Sequence, residues 1–214
     1  MKHKLKIDFF HDVICGWCYV LSPRLRQLAK EMNLDVHHHA FALSANKNEM
    51  IGKFGSMKKA KKIILGHWQQ CALADDQKRV NVEGMREKSF EYPTSTAGLI
   101  ACKAAQKQGG QQEYWDYFDA VTHAHMSENR NIADLAVLAD IAVEVGLDRQ
   151  RFIQDYSSSD RVQEINRDRK LARKFDIQST PSLVVNDQWV ISGALPLNEL
   201  RNQLKQIQQQ ESAA

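Results

Sequence analysis

Two cysteines with two residues between them are the part of this chain best suited to chemistry. They close the stretch Asp8-Phe-Phe-His-Asp-Val-Ile-Cys15-Gly16-Trp17-Cys18-Tyr19. A pair at this spacing, after an alternating apolar run and at the start of an amphipathic one, suits a dithiol that opens and closes as a disulfide. The competing chemistry is half of a zinc site, which needs a second pair of ligands. Cys71 and Cys102 stand alone in helical patterns and read as small buried apolar residues. Zinc would therefore have to recruit histidines such as His123 and His125, about a hundred residues away and at no familiar spacing. The residue pattern favours the dithiol.

A strand that feeds a helix at Cys15 gives the two thiols different roles. The first turn of a helix presents unpaired N–H groups and the positive end of the macrodipole, which favour a thiolate over a thiol. Cys15 is then the nucleophile. Cys18 lies one turn further in, and its spacing with Leu21, Leu25, Leu28 and Met32 puts it on the core side of the helix, as the resolving thiol. Neither Gly16 nor Trp17 brings a charge to Cys15, so the helix terminus alone is expected to lower its pKa, by roughly one or two units. Pro23 inside the same helix predicts a kink.

The elements that must hold this pair follow from periodicity. Leu5, Ile7 and Phe9 alternate with Lys6 and Asp8, the period of a strand with one buried face. A helix over 16–32 stops at Asn33, and 34–41 reads as a second strand. His37, His38 and His39 on that strand point to alternating faces, so they do not converge on a metal and read as strand surface and edge. Beyond Ser44 helical periodicity takes over. Ile51, Phe54, Ile63, Ile64 and Trp68 mark its first segment or segments, and Val80 to Glu91 reads as loop or short strand. Pro93-Thr94-Ser95 starts a helix with the stripe Ala97, Ile100, Ala101, Ala104 and Ala105, stopped by Gly109 and Gly110. Tyr114, Trp115, Phe118 and Val121 form the next stripe, and Leu135, Leu138, Ala139 and Ala142 a further one between an Asp134 cap and Gly146.

Helix resumes over 160–175, breaks at Ser179-Thr180-Pro181-Ser182, and gives way to a strand at Leu183 to Val185. Asn186 and Asp187 supply a hairpin turn, Trp189 to Ile191 the return strand, and 196–207 a closing helix with Leu197, Leu200 and Leu204 on one face. Residues 206–214 are expected to fray. Thr180-Pro181, immediately before a strand, is expected to be a cis bond that sets a substrate backbone beside the dithiol, since proline has no competing N–H.

Composition excludes several functions. In 214 residues a net charge of +3 with 26% charged residues gives no reason to invoke nucleic acid or an anionic membrane. Lys58, Lys59, Lys61 and Lys62 read as one solvated helix face. Residues 1–8 carry bases but no apolar leader, and no stretch is long enough to span a bilayer, which places the protein in the cytoplasm. Four cysteines in a reducing compartment argue for a catalytic pair over a structural framework.

Strand, helix, strand, helical insert, helix, strand, strand, helix, with the dithiol after the first strand and Thr180-Pro181 before the third, resembles the thioredoxin fold. Pro23, five residues beyond Cys18, is similar to a proline found there. The segments Cys15 to Tyr19, Glu128-Asn-Arg-Asn-Ile132, Val145-Gly-Leu-Asp148 and Thr180-Pro-Ser182 resemble the cytoplasmic branch of the DsbA family, the FrnE-like dithiol-disulfide oxidoreductases or isomerases. That branch usually has a proline where this chain has Gly16. The resemblance implies an α/β thioredoxin fold with a large all-helical insertion. Residues 1–43 and 159–214 would form the thioredoxin-like part and 44–158 the inserted part. It also implies a redox pair at Cys15 and Cys18, substrate contacts at Trp17, Thr180 and Pro181, and no cofactor or metal. The partner would be a disulfide-bearing protein or a small thiol such as glutathione. Two other readings are kept. Kappa-type glutathione transferases and hydroxychromene carboxylate isomerases share the architecture but have a serine at the position of Cys15. A binding module would hold clients without turnover.

Overall fold

The computed structural model describes residues 4–213. Residues 1–3 of the N-terminal stretch and Ala214 of the expected frayed end lie outside the described residues. The element order is β1 (Lys6–His11), α1 (Gly16–Met32), β2 (Asp35–Ala40), α2 (Lys47–Phe54), α3 (Met57–Ala74), α4 (Val82–Glu87), α5 (Ser95–Gly109), α6 (Gln111–Met126), α7 (Leu135–Glu144), α8 (Arg149–Tyr156), α9 (Asp160–Lys174), β3 (Ser182–Val185), β4 (Trp189–Ser192) and α10 (Leu197–Ala213). It is a thioredoxin-type α/β fold with helices α2 to α8 inserted between β2 and α9. The residue numbers 43/44 and 158/159 fall in the β2–α2 and α8–α9 connections. No helix among the described residues is long and apolar enough to cross a membrane.

The four strands lie in the order β2-β1-β3-β4, with β1 parallel to β2 and antiparallel to β3, and β3 antiparallel to β4. A parallel neighbour needs a crossover, which α1 supplies, whereas β3 and β4 are joined by a tight hairpin. Both turn residues have positive φ, 49° at Asn186 and 59° at Asp187, as a hairpin turn matched to strand twist demands. Asn186 also accepts from Lys6 N through its side chain at 2.8 Å, which ties the hairpin to the first strand.

The sheet is covered on both faces, and this overturns two expectations. β1 was expected to bury one face, yet Asp8 and Phe10 on the other face are buried as well as Ile7, Phe9 and His11. Ile7 and Phe9 join the main core with Leu21, Leu25 and Leu28 of α1 and Phe118 of α6, while Phe10 and Val184 pack with Ala172 and Ile177 on the α9 side. The histidines of β2, expected at a strand surface, divide between these layers. β2 is indeed an edge strand, but His38 is buried among Tyr114, Trp115 and Phe118, and His39 sits under α9 between Asp8 and Asp168. Only His37 keeps a surface position.

Smaller departures have local causes. Residues 82–87 form the helix α4, capped by the Asn81 side chain accepting from Gly84 N at 2.9 Å, in place of loop or strand. Ile51 and Ile63, expected inward, are 36% and 43% exposed, and Ala97, Ile100 and Leu135 are half-buried at the margins of their stripes. α1 carries Pro23 within its span and ends, as expected, at Asn33, a left-handed cap. α10 extends to Ala213, with Ile207 buried and Asn186 Nδ2 donating to Glu211 at 2.7 Å.

Three histidines are buried without charge. His11 Nε2 and His38 Nδ1 lie 3.3 Å apart, and burial holds both well below the ordinary histidine pKa. Burial takes His125 down to about 3. The unfolded chain binds a proton at each below about pH 6.5 and the folded chain refuses them, so stability falls as pH drops through 6.5. Two groups act in the other sense. His39 loses by burial but gains more from hydrogen bonds to Asp168 and Asp8, so its contribution is present below 6.5 and lost as pH rises. Asp12, raised to about 6 by burial, takes up its proton in the folded state first and offsets one histidine below that pH. The net of two or three protons predicts a loss of about 3–4 kcal/mol per pH unit below 6.5. Urea denaturation between pH 7 and 5 measures it, and His38→Leu should make the dependence shallower.

Candidate active site

The site begins where β1 ends. Asp12 follows the last strand residue, and its buried carboxylate accepts from Ile14 N at 3.3 Å, Leu43 N at 2.6 Å and Ser95 Oγ at 2.6 Å. Its backbone carbonyl accepts from Cys15 N at 3.2 Å. An aspartate that bonds the N–H two residues on is a local turn former, so the chain reverses here and enters α1. A second clamp lies alongside: Tyr92 donates to the carbonyl of Ile14 at 3.3 Å, with its hydroxyl also bonded by Trp68 Nε1 at 3.2 Å and His125 Nε2 at 3.1 Å.

Cys15 is the N-cap of α1, with extended backbone at φ −88° and ψ 107°, and its Sγ accepts from Cys18 N at 3.3 Å. This is the position where a side-chain acceptor satisfies one of the orphan N–H groups of the helix. The thiol also approaches the carbonyl of Thr180 at 3.6 Å. Burial opposes the Cys15 thiolate, but hydrogen bonding from Cys18 leads the effects that outweigh it and hold the thiol below its ordinary pKa. The helix end therefore does not act alone. Cys18 is displaced the other way: burial, then the adjacent Cys15, push it well above the ordinary thiol range. Cys15 is 5% exposed and Cys18 0%.

β3 brings the second half of the site. Pairing of Phe10 with Ser182 sets residues 180–181 beside the end of β1, and the Thr180–Pro181 bond is cis. Thr180 Oγ1 is buried with no hydrogen-bond partner among the described residues. Cys15, Trp17 and Thr180 together border a cleft of about 240 Å³, and Pro181 is buried behind it. The far wall comes from the insert: Met50, Lys53 and Phe54 of α2, and Ile64, His67, Trp68 and Cys71 of α3, with Leu43 and Ser44 at one end.

Of the five site residues read from the sequence, Cys15, Trp17 and Thr180 line the cleft, whereas Cys18 lies buried one helical turn from Cys15 and Pro181 is buried next to Thr180, neither of them in the lining. Asp12, Ser95, Tyr92 and the α2–α3 wall were missed, and only Asp12, three residues before Cys15, had a sequence signal in its turn-forming position. Cys71 is buried as expected, at 1% exposure, but it belongs to this cleft. A Cβ on Gly16 would stand 2.8 Å from Cys71 Sγ, which accounts for glycine between the cysteines. Burial, then the proximity of Cys15, push the Cys71 thiol up to about 12. All four cysteines are unpaired, and no group of three or more His, Cys, Asp or Glu among the described residues is arranged to hold a metal ion.

Two measurements test this geometry. Iodoacetamide at pH 7 should modify Cys15 first, with Cys18, Cys71 and Cys102 unlabelled until the protein is denatured; peptide mass mapping identifies the site. Gly16→Ala should cost about 1–3 kcal/mol through the clash with Cys71. Combined with Cys71→Ala it should cost less than the sum of the two single changes, as read by denaturant titration.

Residues 6–205 match the model of the DSBA-like thioredoxin domain family. Among curated proteins, the ClpXP adapter protein SpxH of Bacillus subtilis is 25% identical over 187 residues, covering 85% of this chain. The chain spans 58% of the length of that relative. Among solved structures, a putative protein disulfide isomerase from Nitrosomonas europaea superposes with a TM-score of 0.77 at 20% identity, covering 97% of this chain and 99% of that one. The cytosolic disulfide reductase DsbM of Pseudomonas aeruginosa with GSH superposes at 0.73 and 19% identity, covering 94% and 98%.

Proposed function

This chain belongs to the DSBA-like thioredoxin domain family, and from that premise we propose that it exchanges thiols and disulfides through Cys15 and Cys18, as an oxidoreductase or isomerase of the FrnE-like kind. One observation carries the proposal: a thiol whose pKa is lowered, at a helix N-cap, stands one turn from a thiol whose pKa is raised, at the mouth of a cleft. The Cys15 thiolate attacks one sulfur of a substrate disulfide, forming a mixed disulfide and releasing the other sulfur as a thiolate. Cys18 then gives up its proton and attacks Cys15 Sγ. The bound substrate sulfur leaves as a thiolate, which takes up a proton, and the Cys15–Cys18 disulfide remains. The reverse sequence oxidises a dithiol, and release before Cys18 attacks permits isomerisation.

The difference between the thiols orders these steps. Cys15 gives up its proton the more easily of the two and attacks first, while Cys18 stays protonated until the mixed disulfide offers it Cys15 Sγ as a target. Trp17 and Thr180 border the path of a substrate backbone, and Pro181 next to Thr180 offers no N–H of its own to compete. The electrons reside on the two thiols, so no cofactor enters. The partner is a disulfide-bearing protein or a small thiol, and the glutathione held by DsbM makes that tripeptide a candidate. Residues 1–43 with 159–214 would form the redox domain and 44–158 the inserted one. Four unpaired thiols and the cytosolic neighbour support a cytoplasmic setting.

A second reading is favoured by the adapter name of the curated relative: a module that holds clients without turnover. Reduction of insulin and recovery of scrambled ribonuclease separate the two. Under the exchange reading Cys15→Ser falls to the uncatalysed rate, and Cys18→Ser accumulates a mixed disulfide at Cys15 visible by mass. Client binding undiminished in the variant lacking both thiols, with no catalysis by the parent, selects the module. Full activity in Cys18→Ser selects a transferase or isomerase that uses Cys15 alone.

A further inference from the structure

We infer that the cleft beside Cys15 is a specificity subsite for a bulky apolar side chain next to the reacting cysteine of a polypeptide, and that it discriminates against glutathione disulfide. The inference rests on Cys15 being the attacking thiol. The cleft is continuous with that thiol, since Cys15, Gly16 and Trp17 form one of its walls. A substrate sulfur at Cys15 therefore carries its neighbouring residue into the cleft or against its rim. At about 240 Å³ it falls below the usual range for whole small-molecule sites, and one or two side chains fill it.

Its lining sets the chemistry of the occupant. Met50, Phe54, Ile64 and Trp68 supply aliphatic and aromatic surface from the insert. The basic side chains on it are Lys53 and His67, and the Lys53 ammonium is already turned to the carbonyl of Leu43. Glutathione carries two carboxylates and an ammonium on either side of its cysteine. Seating them here would strip their water against apolar walls with few partners in return. A leucine or phenylalanine beside the cysteine instead gains burial at no such cost, and the gain is realised only when its sulfur is at Cys15.

The step to be measured is the one proposed above. Reduced protein and one symmetrical disulfide yield two free thiols and the Cys15–Cys18 disulfide, a balanced two-electron exchange. Three disulfides serve as probes: that of a capped Leu-Cys-Leu tripeptide, that of capped Ser-Cys-Ser, and oxidised glutathione. Each is mixed with the reduced full chain, quenched with acid and assayed for released thiol. The leucine disulfide should react at least about tenfold faster than the other two, the factor given by about 1.4 kcal/mol of added apolar burial. Phe54→Ala and Ile64→Ser should each lower the leucine-to-serine ratio several-fold. An unfolded fraction would expose all four thiols and react without preference, so the ratio is compared only for variants whose circular dichroism and thermal unfolding match the parent. Equal rates for the three disulfides, a faster reaction with glutathione disulfide, or a ratio unchanged in both variants overturns the inference and leaves the exchange reading standing. Thiol release from none of the three overturns both.

Discussion

A carboxylate cannot be buried without donors, and the whole site is built around the donors that Asp12 requires. Three of them come from three separated parts of the chain: Ile14 in the active-site turn, Leu43 after β2, and Ser95 at the start of α5. Unpaired burial of such a group costs several kcal/mol, so the turn, the entrance to the insert and the first helix of its α5–α6 pair are held to one position. Cys15 N bonds the carbonyl of the same residue, so the cap of α1 inherits that position. The carboxylate is pushed up to about 6 by burial, and its hydrogen bonds limit the shift.

The insert is joined to the opposite face of the sheet by a second buried polar chain. Lys103 of α5 meets Asp168 of α9 at 2.7 Å, Asp168 meets His39 at 3.2 Å, and His39 meets Asp8 of β1 at 2.7 Å. Lys6 then links Asp8 to Asp187 in the hairpin at 3.0 and 2.9 Å. Each charge alternates with its opposite, as burial in low dielectric demands, and loss of any inner member strands its neighbours. This chain explains why β2 carries His39, where an apolar residue would strand Asp8 and Asp168. It runs at the far side of the sheet from the dithiol and serves the assembly of the layers.

Depth separates the two thiols. Both are on one helix turn and both are buried, yet Cys15 faces the cleft and two hydrogen-bonding neighbours, whereas Cys18 faces the core. The same desolvation acts on each, and only the first is compensated. Such a division favours an exchange in two ordered steps over a dithiol in which either sulfur attacks. The insert supplies a second wall: α2 and α3 enclose the N-terminus of α1 in a cleft.

What could be read from the chain alone was everything governed by short range. The spacing of Cys15 and Cys18, the alternation of Leu5, Ile7 and Phe9, the Asn186-Asp187 turn and the leucine stripes are local patterns, and each element they imply is present. The order of elements with Thr180-Pro181 before β3 led to the fold. Tertiary structure decided the rest, because burial depends on what covers a residue. His38 and His39 are inside because α6 and α9 close over an edge strand, and Asp8 is inside because α9 covers the face of β1 that alternation assigned to water. Ile51 and Ile63 have the period of a core stripe, but the helices that carry them form the outer wall of the cleft, so part of each stripe stays in solvent. Cys71 is 56 residues from Cys15 in sequence, and only the docking of α3 on the glycine between the cysteines makes it part of the site.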